Sequence, residues 1–244
     1  ASKEHEAAAK KAADESITLL KNVNNTLPLK QGARILVTGP NANSMRTLNG
    51  GWSYSWQGEK TEEFAQGYNT ILEAMRNKFG EGNVRYAAGV EYKMDGQYFE
   101  ELPPQIGQAV AAASGVDYIV LCVGENSYCE TPGNLEELVL SENQTALAKA
   151  LLKTGKPVIL VLNEGRPRII RTIEPESKAI IQLYLPGNYG ADALADVLAG
   201  DINPSGKLPY TYPKFEQGLL TYDHKPSQNI DGKMEGAYDY GAQT

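Results

Sequence analysis

Two glutamates, Glu125 and Glu130, fall within Gly124-Glu125-Asn126-Ser127-Tyr128-Cys129-Glu130-Thr131-Pro132-Gly133-Asn134. The residues before them, Tyr118-Ile119-Val120-Leu121-Cys122-Val123, are apolar and read as a buried strand. Carboxyls are therefore placed on a loop at the end of a strand, where an open α/β sheet gathers its ligands. A carboxylic acid held there can protonate a leaving group. The same residues taken alone also describe a solvated loop carboxylate, so the surrounding elements have to decide.

Those elements alternate. Residues 4–16 have helical composition, and Leu19, Leu20, Leu27 and Leu29 follow around an Asn-rich turn. Strands are expected at 34–38, 83–87, 116–123, 158–162 and 179–184. Helices are expected at 69–79, 106–113, from the Ser141/Gln144 capping box to Leu152, and at 191–198. The strands lack hydrophobic–polar alternation, which implies a sheet covered on both faces. The fold class is α/β: a three-layer αβα sandwich with a mostly parallel central sheet, flavodoxin-like in arrangement. Right-handed crossovers then bring Gly39-Pro40-Asn41, Gly124-Glu125, Asn163-Glu164-Gly165 and Pro186-Gly187 to one edge.

The segment 41–68 is long and reads as structureless, which marks it as a candidate functional loop. It carries both tryptophans, in Gly50-Gly51-Trp52-Ser53-Tyr54-Ser55-Trp56-Gln57-Gly58. One of them is expected in the core. The other could stack on the apolar face of a sugar ring, with glycines allowing close approach. The division along the chain is a linker helix at 1–16, the sandwich at 17–212 and a polar tail at 213–244.

Composition excludes several classes. With 244 residues and a net charge of −7, the chain shows no basic patch, so nucleic acid is not an expected partner. No apolar run is long enough to span a membrane, and the charged N-terminus does not read as a signal peptide. Two cysteines and two distant histidines, His5 and His224, give no metal-ligand spacing and no Ser-His-Asp pattern. No metal and no cofactor are called for. A nucleotide loop is disfavoured because Gly39-Pro40-Asn41-Ala42-Asn43 lacks spaced glycines.

Taken together, the motifs resemble the C-terminal α/β-sandwich domain of glycoside hydrolase family 3, the β-glucosidase and β-xylosidase family. The likeness runs through Glu15 to Asn22, Leu27-Pro28-Leu29, Ile35 to Asn41, Gly50-Gly51-Trp52 and Trp56-Gln57-Gly58. It continues through Val123-Gly124-Glu125, Gly155-Lys156-Pro157, Gly165-Arg166-Pro167, Pro186-Gly187 and the block from Ala195 to Pro209. The resemblance implies a retaining β-glycosidase acting on a β-glucoside or oligosaccharide, in a secreted or periplasmic setting. An N-terminal (β/α)₈ barrel would bring an aspartate nucleophile, and Glu130 would be the acid/base residue. Trp56, with Trp52, would line the acceptor-sugar subsite. Glu125 is the runner-up for the acid/base role; its other readings are a substrate ligand or a brace that holds the acid/base loop in shape. Arg166 reads as a brace. The chain carries no nucleophile motif of its own, so the resemblance implies one part of a longer enzyme, inactive by itself. The alternative is a carbohydrate-binding module without catalysis.

Overall fold

The computed structural model describes residues 2–216. The part of the expected tail from 217 onward lies outside them. In chain order the elements are α1 (Lys3–Ser16), β1 (Thr18–Asn22), β2 (Ile35–Thr38), α2 (Met45–Asn49), α3 (Thr61–Phe64), α4 (Ile71–Phe79) and β3 (Val84–Tyr86). They continue with α5 (Ile106–Ala112), β4 (Tyr118–Gly124), α6 (Glu142–Leu152), β5 (Val158–Asn163), β6 (Ala179–Gln182) and α7 (Gly190–Ala199).

The strands form one sheet in the order β1-β6-β5-β4-β2-β3. Strands β2 to β6 are parallel, and β1 closes the β6 edge antiparallel. Without β1, the order is that of a flavodoxin-like doubly wound sheet, as the apolar runs predicted. Successive residues of each strand feed opposite cores. Ile35, Val37, Val120, Cys122, Ile159 and Val161 pack under α1, α4 and α7. Leu36, Ile119, Leu121, Val123, Leu160 and Leu162 pack under α5 and α6. All six residues of β5 are buried, which is why it reads as a continuous apolar run. Each such Leu, Ile or Val contributes about 1.5–3 kcal/mol by leaving water.

Two expectations need correcting. Thr18–Asn22, noted in the sequence only for leucines leading into an Asn-rich turn and given no strand, is a strand: Leu19 faces one core and Leu20 the other. The segment 41–68 is not structureless either. It holds α2, whose N-terminus is capped by Ser44 accepting from Thr47 N at 3.3 Å, and α3. The segment is anchored by Met45 and Leu48, not by a tryptophan. Trp52 is 69% exposed and Trp56 46%, so neither is in the core.

Candidate active-site rim

The strand order reverses between β2 and β4, so the loops leaving these two strands flank a crevice at their C-terminal ends. Two buried asparagines knit the rim. Asn41, after β2, donates through Nδ2 to the Glu125 carbonyl at 3.0 Å and to the Asn163 carbonyl and Oδ1 at 3.1 Å each. Asn163, at the end of β5, donates to the Tyr184 carbonyl at 2.7 Å. Four strand ends are thereby tied into one surface.

The loop after β4 is fixed at its root. Gly124 has φ +143, and a Cβ there would run into the Asn163 carbonyl, so only glycine fits. Gln144 of α6 clamps it, accepting from Gly124 N at 2.9 Å and donating to its carbonyl at 3.2 Å. The expected capping box is therefore half formed. Ser141 accepts from Gln144 N at 3.1 Å, but the Gln144 amide is spent on the loop.

Glu125 lies one residue further on. Its side chain is 1% exposed. One oxygen accepts from Tyr128 OH at 2.9 Å and from the Gly165 and Arg166 amides at 3.0 Å each. The other accepts from Arg166 Nε at 3.0 Å and Arg168 Nε at 2.9 Å. Two guanidiniums on one carboxylate form a charge-assisted node. Arg166 also stacks 3.9 Å from the centre of the Tyr128 ring and donates to the Gly133 carbonyl at 2.6 Å. Arg166 is thus the brace that the sequence suggested. Arg168, which sequence reasoning missed, shares the task.

Glu130 is exposed. Its neighbours are pinned on both sides. Gln57 reads the Cys129 backbone like a strand partner: Cys129 N donates to Gln57 Oε1 at 3.0 Å, and Gln57 Nε2 donates to the Cys129 carbonyl at 3.1 Å. Cys129 Sγ lies 3.0 Å from the Trp56 carbonyl. Downstream, Gly133 is held by Arg166 and donates its N–H to the Glu130 carbonyl at 2.9 Å. Glu130 itself has φ +55 and ψ −152, a conformation nearly confined to glycine. That geometry costs on the order of 1–3 kcal/mol, supplied by the pins around it. The Trp loop meets the Glu130 loop backbone to backbone, since a Cβ on Gly51 would strike the Tyr128 carbonyl. Trp56, Trp52 and Glu130 thus share one rim.

A third carboxyl lies beneath. Glu164 is fully buried, with its pKa raised to about 8, chiefly by burial. The Tyr212 hydroxyl lies 2.6 Å from both Glu164 Oε1 and the Arg168 carbonyl. The carbonyl can only accept, so one phenolic proton cannot serve both contacts, and a proton on Glu164 completes the chain. A carboxyl whose pKa is raised on folding stabilises the fold fully below its unfolded value of about 4.3. That contribution is lost as the pH climbs toward about 8. The urea midpoint is therefore expected to fall between pH 5.5 and 8.5, and Glu164→Gln, which mimics the protonated form, should remove much of that fall. Parallel curves for the two proteins would mean that Glu164 is already ionised at the lower pH.

Comparison with known proteins fits this geometry. Residues 17–243 match the family described as glycosyl hydrolase family 3 C-terminal domain. The chain belongs to that family. A lysosomal beta glucosidase of Dictyostelium discoideum is 40% identical over 91% of the chain, and a periplasmic beta-glucosidase of Salmonella typhimurium 35% identical over 86%. The chain spans only 27% and 29% of their lengths. A crystal structure of a beta-glucosidase from Listeria innocua superposes with a TM-score of 0.81 at 28% identity, over 100% of this chain and 34% of that one. Among the described residues of the family 3 domain, no group of three or more His, Cys, Asp or Glu is placed to hold a metal ion. No helix there is long and apolar enough to cross a membrane.

Proposed function

We propose that this domain is the acid/base half of a retaining β-glycosidase, β-glucosidase-like, with Glu130 as the proton donor. The observation that carries the reading is a glutamate held exposed, in a glycine-like backbone conformation, between two pinned neighbours at the switch point of the sheet. Strain of this kind persists where the surroundings enforce it and gathers at functional positions.

A retaining glycosidase needs two carboxyls about 5–5.5 Å apart. Glu130 supplies one. The aspartate nucleophile comes from a (β/α)₈ barrel in the rest of the enzyme, docked over the rim. Glu130 protonates the glycosidic oxygen as the bond to the anomeric carbon breaks and the nucleophile attaches. In the second step it takes a proton from the water that releases the sugar. Trp56, with Trp52 beside it, offers an aromatic face to the acceptor sugar. Glu125 does not bind substrate in this reading. Its oxygens are already committed, and its role is to hold the loop that presents Glu130. Helix α1, which packs on α7 through Ala13 and a 2.8 Å Lys10–Asp196 pair, is the entry from the barrel. The lysosomal and periplasmic relatives support a secretory or periplasmic setting.

The test is complementation. The chain by itself is expected to leave an aryl β-glucoside intact, while the full-length enzyme that contains it hydrolyses the same compound. Turnover by the purified chain alone would show that the nucleophile lies within it.

A further inference from the structure

Glu164 is a buried carboxyl that the mechanism above does not use. It follows β5, and none of its surface reaches solvent. Two geometric facts make it the neutral acid. The Tyr212 hydroxyl has to serve the Arg168 carbonyl, so the proton between Tyr212 and Glu164 belongs to Glu164. The second oxygen, Oε2, is buried and has no hydrogen-bond partner among the described residues. A neutral carboxyl tolerates one such oxygen, whereas a carboxylate spreads its charge over both.

What this proton holds is Arg168. Glu164 Oε1 accepts from Arg168 N at 3.1 Å, and the Tyr212 hydroxyl donates to the Arg168 carbonyl at 2.6 Å. The Arg168 main chain is thus clamped at both ends. Its side chain reaches the other way. Nε and Nη2 meet Glu125 Oε1 at 2.9 and 2.8 Å, and Nη1 donates to the Glu137 and Val139 carbonyls at 3.1 Å each. Arg168 therefore grips the loop after β4 on both sides of Glu130.

Removing the proton loosens that grip. Facing Glu164 are Tyr212 from the segment after α7, with Tyr210 packed against its ring, Arg168 from its own loop, and Glu125 from the loop after β4. Once Glu164 is charged, the single phenolic proton goes to the carboxylate, the stronger acceptor. The Arg168 carbonyl then loses its donor, and a second negative charge competes with Glu125 for the guanidinium.

We propose that protonated Glu164 and Tyr212 are positioning residues for Glu130: they clamp Arg168, Arg168 seats the acid/base loop, and loss of the Glu164 proton unseats that loop and stops turnover at alkaline pH. This rests on the reading of Glu130 given above and deepens it. Neither residue touches substrate. Burial raises the Glu164 pKa to about 8, so the clamped form prevails below that pH and the released form above it.

The experiment uses the full-length enzyme and reads kcat on a dinitrophenyl β-glucoside from pH 6.5 to 9.5. Dinitrophenolate leaves without a proton, so the second step sets kcat, and there Glu130 serves as a base. Its own ionisation can only help as the pH rises. A group that titrates near 8 is about one-tenth neutral at pH 9. The wild type should therefore lose about tenfold in kcat by that pH, with its circular dichroism unchanged. Glu164→Gln cannot ionise and should hold a flat profile. Its level should be about threefold lower, since an amide can donate to Tyr212 or accept from Arg168 N but not both. Tyr212→Phe takes a charge-assisted bond from the ionised form and a weaker neutral one from the acid, so its fall should move to higher pH. It decides the matter if Glu164→Gln fails to fold. A flat wild-type profile, an unfolding transition that tracks the fall, or the same fall in the variants as in the wild type would overturn the proposal. Glu130→Ala run alongside keeps the two readings apart. Wild-type kcat in Glu130→Ala would remove the Glu130 reading itself, and the positioning role with it.

Discussion

Glu130→Gln in the full-length enzyme is expected to cut kcat/KM on an oligosaccharide by about 10²–10⁴-fold, the range of a positioned general acid. On a dinitrophenyl glycoside the loss in the first step should be small. The reason is chemical. A sugar alkoxide is a poor leaving group and needs a proton as it departs, whereas dinitrophenolate leaves as the anion. Glutamine keeps the shape and the hydrogen-bonding reach of Glu130 but has no acidic proton. Stability should barely change, since an exposed substitution away from packing usually stays within about 0.5 kcal/mol. Equal losses on good and poor leaving groups would take Glu130 out of the acid role, and a large drop in melting temperature would make it structural.

Glu125→Gln should behave in the opposite way. Every contact at both Glu125 oxygens is a donor: a phenol, two backbone amides and two guanidiniums. An amide NH₂ in that place meets donors only, and two arginines lose their counter-charge. Breaking a buried ion pair from one side costs about 3–5 kcal/mol. The Arg166 and Arg168 side chains are 26% and 11% exposed, so water softens the loss toward about 3 kcal/mol. For a domain of this size that is a fall in melting temperature of roughly 6–12 °C. Activity should fall on good and poor leaving groups alike, because the loop that carries Glu130 is displaced as a whole. A Glu125→Gln protein with a wild-type melt and a selective loss on one substrate class would make Glu125 a substrate ligand after all.

How much of this was legible in the sequence follows from the range of the interactions. Strands β4 and β5 were plain because burial on both faces writes an unbroken apolar run. Helix α4 was plain because Ile71, Leu72 and Met75 recur at helical spacing onto one core. Strand β1 was not, because its pairing partner β6 lies far along the chain and only two of its five residues are leucines. Helices of five and four residues, such as α2 and α3, are too short to show a period; the Ser44 cap was the one available signal. At the site, Glu130 stood out through the family resemblance and not through local physics. Its backbone strain leaves no trace in residue type. The Glu125 node joins residues about forty positions apart, which single-sequence reasoning reaches only by guessing that Arg166 is a brace. Glu164 left no signal, since what distinguishes it is the water that the fold withholds from it.

The central assignment is most directly tested by rescue with azide in the full-length Glu130→Ala enzyme, using a dinitrophenyl β-glucoside. The first step then needs no acid, and the glycosyl-enzyme accumulates because no base activates water. Azide needs no deprotonation, so it should restore turnover and yield the β-glucosyl azide. No rescue, or an α-configured azide that would mark Glu130 as the nucleophile, would contradict the account.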